Sequence, residues 1–148
     1  MNIIKLELSN YRPEKSGAVI CKGGLRMELH RAGEDYLKAI LILQQKDGAV
    51  RSLDVAEMLG VTKPSVSRAM KLLRDGGFLT MDADKLIRLT DVGREAAEAV
   101  YEKHCVLKRC LISMGVDPDA ADQDACRMEH VICPETLDKM KAFVCREA

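Results

Sequence analysis

From Glu34 the apolar positions Tyr36, Leu37, Ile40, Leu41 and Leu43 recur on one helical face until Asp47-Gly48 breaks the pattern, which predicts a first helix. Ser52, placed as an N-cap, opens a short helix carrying Leu53, Val55, Ala56, Met58 and Leu59, and Gly60 stops it. After Val61-Thr62 a third helix turns Val66, Ala69, Met70, Leu72 and Leu73 inward, with Pro64 tolerated in its first turn, and Gly76-Gly77 ends it. The period then shortens. Phe78 to Met81 and Leu86 to Leu89 are β-prone runs around the polar tip Asp82-Ala83-Asp84-Lys85, the pattern of a small hairpin.

Thr90 caps a long helix whose apolar stripe, Val92, Ala96, Ala97, Val100, Tyr101, Val106, Leu107, Cys110 and Leu111, runs to Met114-Gly115. Two shorter helices follow, about Pro118 to Val131 and Pro134 to Arg146. Residues 1–31 hold Pro13, Gly23-Gly24 and no sustained period, so a flexible or loosely docked extension is expected there. The expected fold is mostly α: a winged helix-turn-helix unit over 32–90, then an all-helical unit over 91–148.

Composition narrows the setting. At 148 residues and 47% hydrophobic content the chain can bury a core, while its longest apolar run, Ala39 to Leu43, is far below the roughly 20 residues that cross a bilayer. With no signal-like start, a soluble cytoplasmic protein without membrane contact is expected. Cys21, Cys105, Cys110, Cys126, Cys133 and Cys145 show no Cys-x-x-Cys pair and are read as reduced thiols. Net charge is zero, yet residues 51–90 hold seven basic against five acidic side chains and residues 91–148 eight against twelve. This fits a mildly basic half that faces nucleic acid, joined to an acidic half.

Two chemistries stand out. On the third helix and its approach, Thr62, Lys63, Pro64, Ser65, Ser67, Arg68 and Lys71 line the polar side, with Lys85 on the wing. Arg68 is expected to reach base edges, whereas Lys63, Lys71 and Lys85 suit phosphates, and the short hydroxyls allow close approach to a groove wall of double-stranded DNA. Further on, Cys126, Glu129 and His130 stand at i, i+3 and i+4 of one predicted helix, so sulfur, carboxylate and imidazole share a face. That mixture suits a divalent transition metal rather than Ca²⁺ or Mg²⁺. His104 on the long helix and Asp35 on the first are further donors from outside that segment.

From about Arg31 to Glu147 the chain resembles the diphtheria toxin repressor and manganese transport regulator family of metal-dependent repressors. The resemblance is carried by Glu34-Asp35-Tyr36-Leu37, Val55-Ala56-Glu57, Pro64-Ser65-Val66-Ser67, Leu89-Thr90 with Gly93, Glu102-Lys103-His104, and Ala125-Cys126-Arg127-Met128-Glu129-His130. It implies a homodimer on a palindromic operator, paired through the helices after the wing. It also implies metal ligation by Asp35, His104, Cys126, Glu129 and His130, with Fe²⁺ or Mn²⁺ foremost and Co²⁺, Ni²⁺ or Zn²⁺ able to substitute in vitro. Cysteine at position 126 resembles the iron type and aspartate at position 35 the manganese type. Lys38 stands where the manganese type has a second carboxylate, and Lys108 and Asp122 stand where the iron type has further ligands. A protonated lysine cannot ligate. Ending after the third C-terminal helix, the sequence resembles the shorter, two-domain members, so the SH3-like domain of longer ones is not expected.

Two other readings use the same residues. One is a winged-helix regulator that senses thiol oxidation or a small organic ligand, suggested by the six cysteines. The other is a metal-dependent hydrolase, for which the chain offers no His-Glu-x-x-His, no Gly-x-Ser-x-Gly and no phosphate-binding glycine loop.

Overall fold

The computed structural model describes residues 29–146 as six helices and a two-stranded hairpin. Of the extension expected over residues 1–31, residues 1–28, Cys21 included, lie outside the described residues. Helix α1 (Arg31–Asp47) begins three residues before the predicted Glu34, and Leu29 already packs against the core. Residues 29–31 are therefore part of the folded unit. The apolar period misses this first turn because backbone alone closes it: the N–H groups of Gly33 and Glu34 donate to the His30 carbonyl at 2.7 and 3.2 Å.

In α2 (Ser52–Leu59), Ser52 is the first helical residue and Arg51 occupies the cap position. The capping carboxylate comes from inside the helix, where Asp54 accepts from the Arg51 N–H at 2.7 Å. Gly60 ends α2 at φ +65°, a left-handed backbone that favours glycine. Helix α3 (Lys63–Asp75) is capped by Thr62, whose hydroxyl oxygen accepts from the Ser65 N–H at 3.4 Å. Val66, Met70 and Leu73 are buried, but Leu72, expected inward, is 58% exposed. It lies one residue, about 100°, off the line that the other three define.

Strands β1 (Leu79–Met81) and β2 (Ile87–Leu89) pair antiparallel, Leu79 opposite Leu89 and Met81 opposite Ile87. At the tip the Asp82 carboxylate accepts from the N–H groups of Asp84 and Leu86, and Lys85 takes a φ of 61°. Leu79 and Ile87 join α1, α2, α3 and Ala97 in the larger core.

Helix α4 (Asp91–Ser113) starts at Thr90, whose hydroxyl accepts from the Gly93 N–H (3.1 Å) and donates to the Gly77 carbonyl (2.7 Å). A Cβ on Gly93 would stand 1.8 Å from the Phe78 carbonyl oxygen, so only glycine lets the helix settle on the hairpin this closely. Helices α5 (Pro118–Met128) and α6 (Pro134–Arg146) fold back on α4, and Val106, Cys110, Leu137 and Val144 form a second core. Helix α5 ends at Met128 instead of running to Val131. The Val131 and Ile132 N–H groups both return to the Met128 carbonyl at 3.0 Å, and Pro134 disfavours helical backbone at Cys133. Glu129 and His130 thus sit at a helix end and in a turn.

Among the described residues no helix is long and apolar enough to cross a membrane, and the cysteines are free thiols.

Candidate metal centre and nucleic-acid face

Helices α1 and α5 both pack on α4, and the first turns of α1 meet the turn between α5 and α6. Glu129 sits at the centre of this meeting and is fully buried. A buried carboxylate has to be met by donors or a cation, and three groups meet this one. The Lys38 ammonium bonds to Oε1, His104 Nδ1 lies 2.9 Å from Oε2, and His130 Nε2 lies 3.4 Å from Oε1.

His130 faces carboxylates at both ring nitrogens: Nδ1 is 2.6 Å from Glu34 and Nε2 is 2.9 Å from Asp35. The ring of His104 is held likewise between Glu129 and Asp122 (3.1 Å), and the Lys108 ammonium reaches the same Asp122 oxygen at 2.7 Å. Donor atoms of Asp35, Glu129 and His130 all lie within 4.8 Å of one another. Two oxygen donors and one imidazole at that spacing fit a transition-metal ion.

The other two expected ligands stand one partner away. Cys126 Sγ lies 3.8 Å from the Lys38 ammonium, which comes between it and Glu129, and His104 is on the opposite oxygen of Glu129 from His130. Burial pushes the Cys126 thiol up, with Glu129 and Asp35 reinforcing and Lys38 opposing. Partial burial raises the Asp122 carboxyl, but hydrogen bonds from Lys108 and His104 outweigh it and hold the group below the ordinary carboxylate range. Spacing alone did not reveal Glu34 as a partner of His130, nor Lys38 as a cation inside the cluster. The signal available was helical phase: residues 34, 35 and 38 share a face of α1.

On α3, Lys63, Pro64, Ser65, Ser67, Arg68 and Lys71 are all exposed, and Lys85 is exposed at the wing tip. A concavity of about 550 Å³ between α3 and the hairpin is lined by Pro64, Ser67, Arg68, Lys71 and Met81. Ser52 and Arg74, not expected at this face from the sequence, line it too. Three cationic side chains on one concave face suit a polyanion. Thr62 and Ser65 have their hydroxyls 2.9 Å apart, so they brace the start of α3 as well as bordering this face.

Residues 28–86 match the N-terminal DNA binding domain of iron dependent repressors, and residues 90–146 match their metal binding and dimerisation domain. The transcriptional regulator MntR of Salmonella typhimurium is 36% identical over 118 residues, covering 78% of this chain and 75% of that protein. The diphtheria toxin repressor of Corynebacterium diphtheriae is 31% identical over 103 residues, 69% of this chain and 46% of the repressor. Among solved structures, a manganese-dependent transcriptional repressor in complex with manganese is 28% identical with a TM-score of 0.69, over 76% of this chain and 52% of that one. The metal-dependent transcriptional regulator MtsR is 27% identical with a TM-score of 0.70, over 76% and 53%. The present chain thus spans about half the length of these two solved relatives.

Proposed function

Because the chain belongs to the iron dependent repressor family of metal-dependent transcriptional repressors, we propose that it binds a palindromic DNA operator as a cytoplasmic homodimer when a divalent transition metal, Mn²⁺ or Fe²⁺ foremost, is bound. Residues 32–90 read DNA, and residues 91–148 pair the subunits and carry most of the metal donors. The observation that supports this best is the convergence of Asp35 from α1 with Glu129 and His130 from the α5–α6 turn.

Asp35, Glu129 and His130 hold the ion, with Cys126 as the adjoining sulfur donor and His104 orienting the Glu129 carboxylate through its 2.9 Å contact. A bound divalent ion supplies the positive charge that lets carboxylates of two distant segments share one point. Helix α1 is packed in the DNA-reading core, so tying its first turns to the α5–α6 turn restricts how the reading half sits on the pairing half. Across a dimer this sets the distance between two α3 helices, which must match half-sites one turn of DNA apart, about 34–36 Å, or a multiple. Coupling of about 1–3 kcal/mol is enough, giving roughly 5- to 150-fold tighter operator binding.

On α3, Arg68 reads base edges, and Lys63, Lys71 and the wing's Lys85 grip phosphates. Ser65 and Ser67 approach the groove wall, with Thr62 and Pro64 setting the start of the helix. The test is selection of binding sites from a random duplex library with MnCl₂ present, then fluorescence anisotropy on the selected duplex with Mn²⁺, Fe²⁺, Co²⁺, Zn²⁺ or chelator. Metal should tighten binding at least fivefold. Equal affinity in chelator would refute the switch.

A further inference from the structure

We propose that Lys38 and Lys108 are tethered cations that limit this centre to one divalent ion per protomer, an inference that rests on the metal-loaded reading above. Lysine is seldom buried unless paired, yet the Lys38 and Lys108 side chains are only 10% and 13% exposed. Each ammonium takes donor atoms that a further ion would need. Lys38 occupies Glu129 Oε1 and lies beside the Cys126 sulfur. Lys108 occupies the Asp122 oxygen that His104 Nε2 also faces, so the outer side of His104 already has its cation. Asp35, Glu129 and His130 keep donor atoms within 4.8 Å of one another, and with Lys38 on the Glu129 oxygen that also faces His130 there is room in that group for one ion and no more.

Charge acts in the same direction. Lys38 and Lys108 each bring a largely buried ammonium into the cluster, so a further divalent ion would meet repulsion from two cations that cannot leave their helices.

The experiment is equilibrium dialysis of the full chain against MnCl₂ with elemental analysis of bound metal, and anomalous diffraction from Mn²⁺-soaked crystals as a positional count. Wild type should saturate at one Mn²⁺ per chain. Lys38→Glu, which puts a carboxylate where the ammonium was, should take two. Lys38→Gln, which removes the charge alone, should bind the first ion roughly tenfold more tightly. Two ions per wild-type chain would overturn the proposal whatever the variants do. So would a Lys38→Glu protein that unfolds cooperatively and still holds one ion, or a Lys38→Gln protein with unchanged or weaker affinity. No bound ion in wild type would defeat the metal centre and this inference together. One ion without any effect on DNA affinity would defeat only the switch, leaving the count intact.

Discussion

Replacing Glu129 by glutamine in the metal-free protein removes the charge that Lys38 faces while keeping the side chain's size. Both partners are buried, Glu129 fully and the Lys38 side chain to within 10% of it, so the ammonium would be left in a poorly solvated site without a counter-charge. Breaking a buried pair from one side costs about 3–5 kcal/mol. For a chain of this length each kcal/mol lowers the melting temperature by about 2–4 °C, so Glu129→Gln should melt roughly 6–20 °C below wild type in chelator. The loss is specific to a stranded charge. Lys38→Met combined with Glu129→Gln should therefore recover most of it, since no buried charge is left unpaired and the glutamine can still bond to His104. The assay is thermal and urea unfolding of the four proteins in chelator, read as a double-mutant cycle. A Glu129→Gln protein within about 1 kcal/mol of wild type, or a double variant less stable than either single one, would show that the Lys38–Glu129 pair does not hold the metal-free fold together.

Gly93→Ala should cost about 3 kcal/mol in urea unfolding, because the new methyl meets a backbone carbonyl that cannot step aside without lifting α4 off the hairpin. Arg68→Ala should weaken binding to the selected duplex by about 1–3 kcal/mol and flatten preference at one base pair, whereas Lys71→Ala should weaken all duplexes alike and lower the slope of log affinity against log salt by about one. In the order of thiol alkylation Cys133 should precede Cys126. Cys133 is exposed, and the hydroxyl and backbone N–H of Thr136 draw its thiol below the ordinary value, so more thiolate is present near neutral pH. Burial holds Cys126 above that value. Mass spectrometry after brief iodoacetamide treatment reads the order, and Cys126 reacting first would refute it.

What the sequence made legible was mostly local. Thr62, Thr90, Gly60 and the polar turn at Asp82 announce their caps and tip because each acts on backbone within a few residues. Misplaced ends have local causes too, but from competing groups: Asp54 rather than Ser52 satisfies the start of α2, and the shared Met128 carbonyl closes α5 early. Cys126, Glu129 and His130 could be grouped by spacing because they lie within five residues. Their partners could not be chosen that way. That Lys38 turns into the core, and that Glu34 meets His130, depends on how α1 docks against the α5–α6 turn, about 90 residues away in sequence. A lysine read alone is a surface residue by default, and only the buried carboxylate opposite explains this one.

Helix α4 runs unbroken for 23 residues, roughly 34 Å at 1.5 Å per residue. Its first turn is seated on the hairpin by Gly93 and Thr90, and its last turns lie in the second core with α6. Such a rod has no joint at which to absorb a tilt. Whatever angle two copies adopt where they pair is delivered by leverage to the wing and α3, and a proline placed midway along it would kink the lever and weaken that transmission.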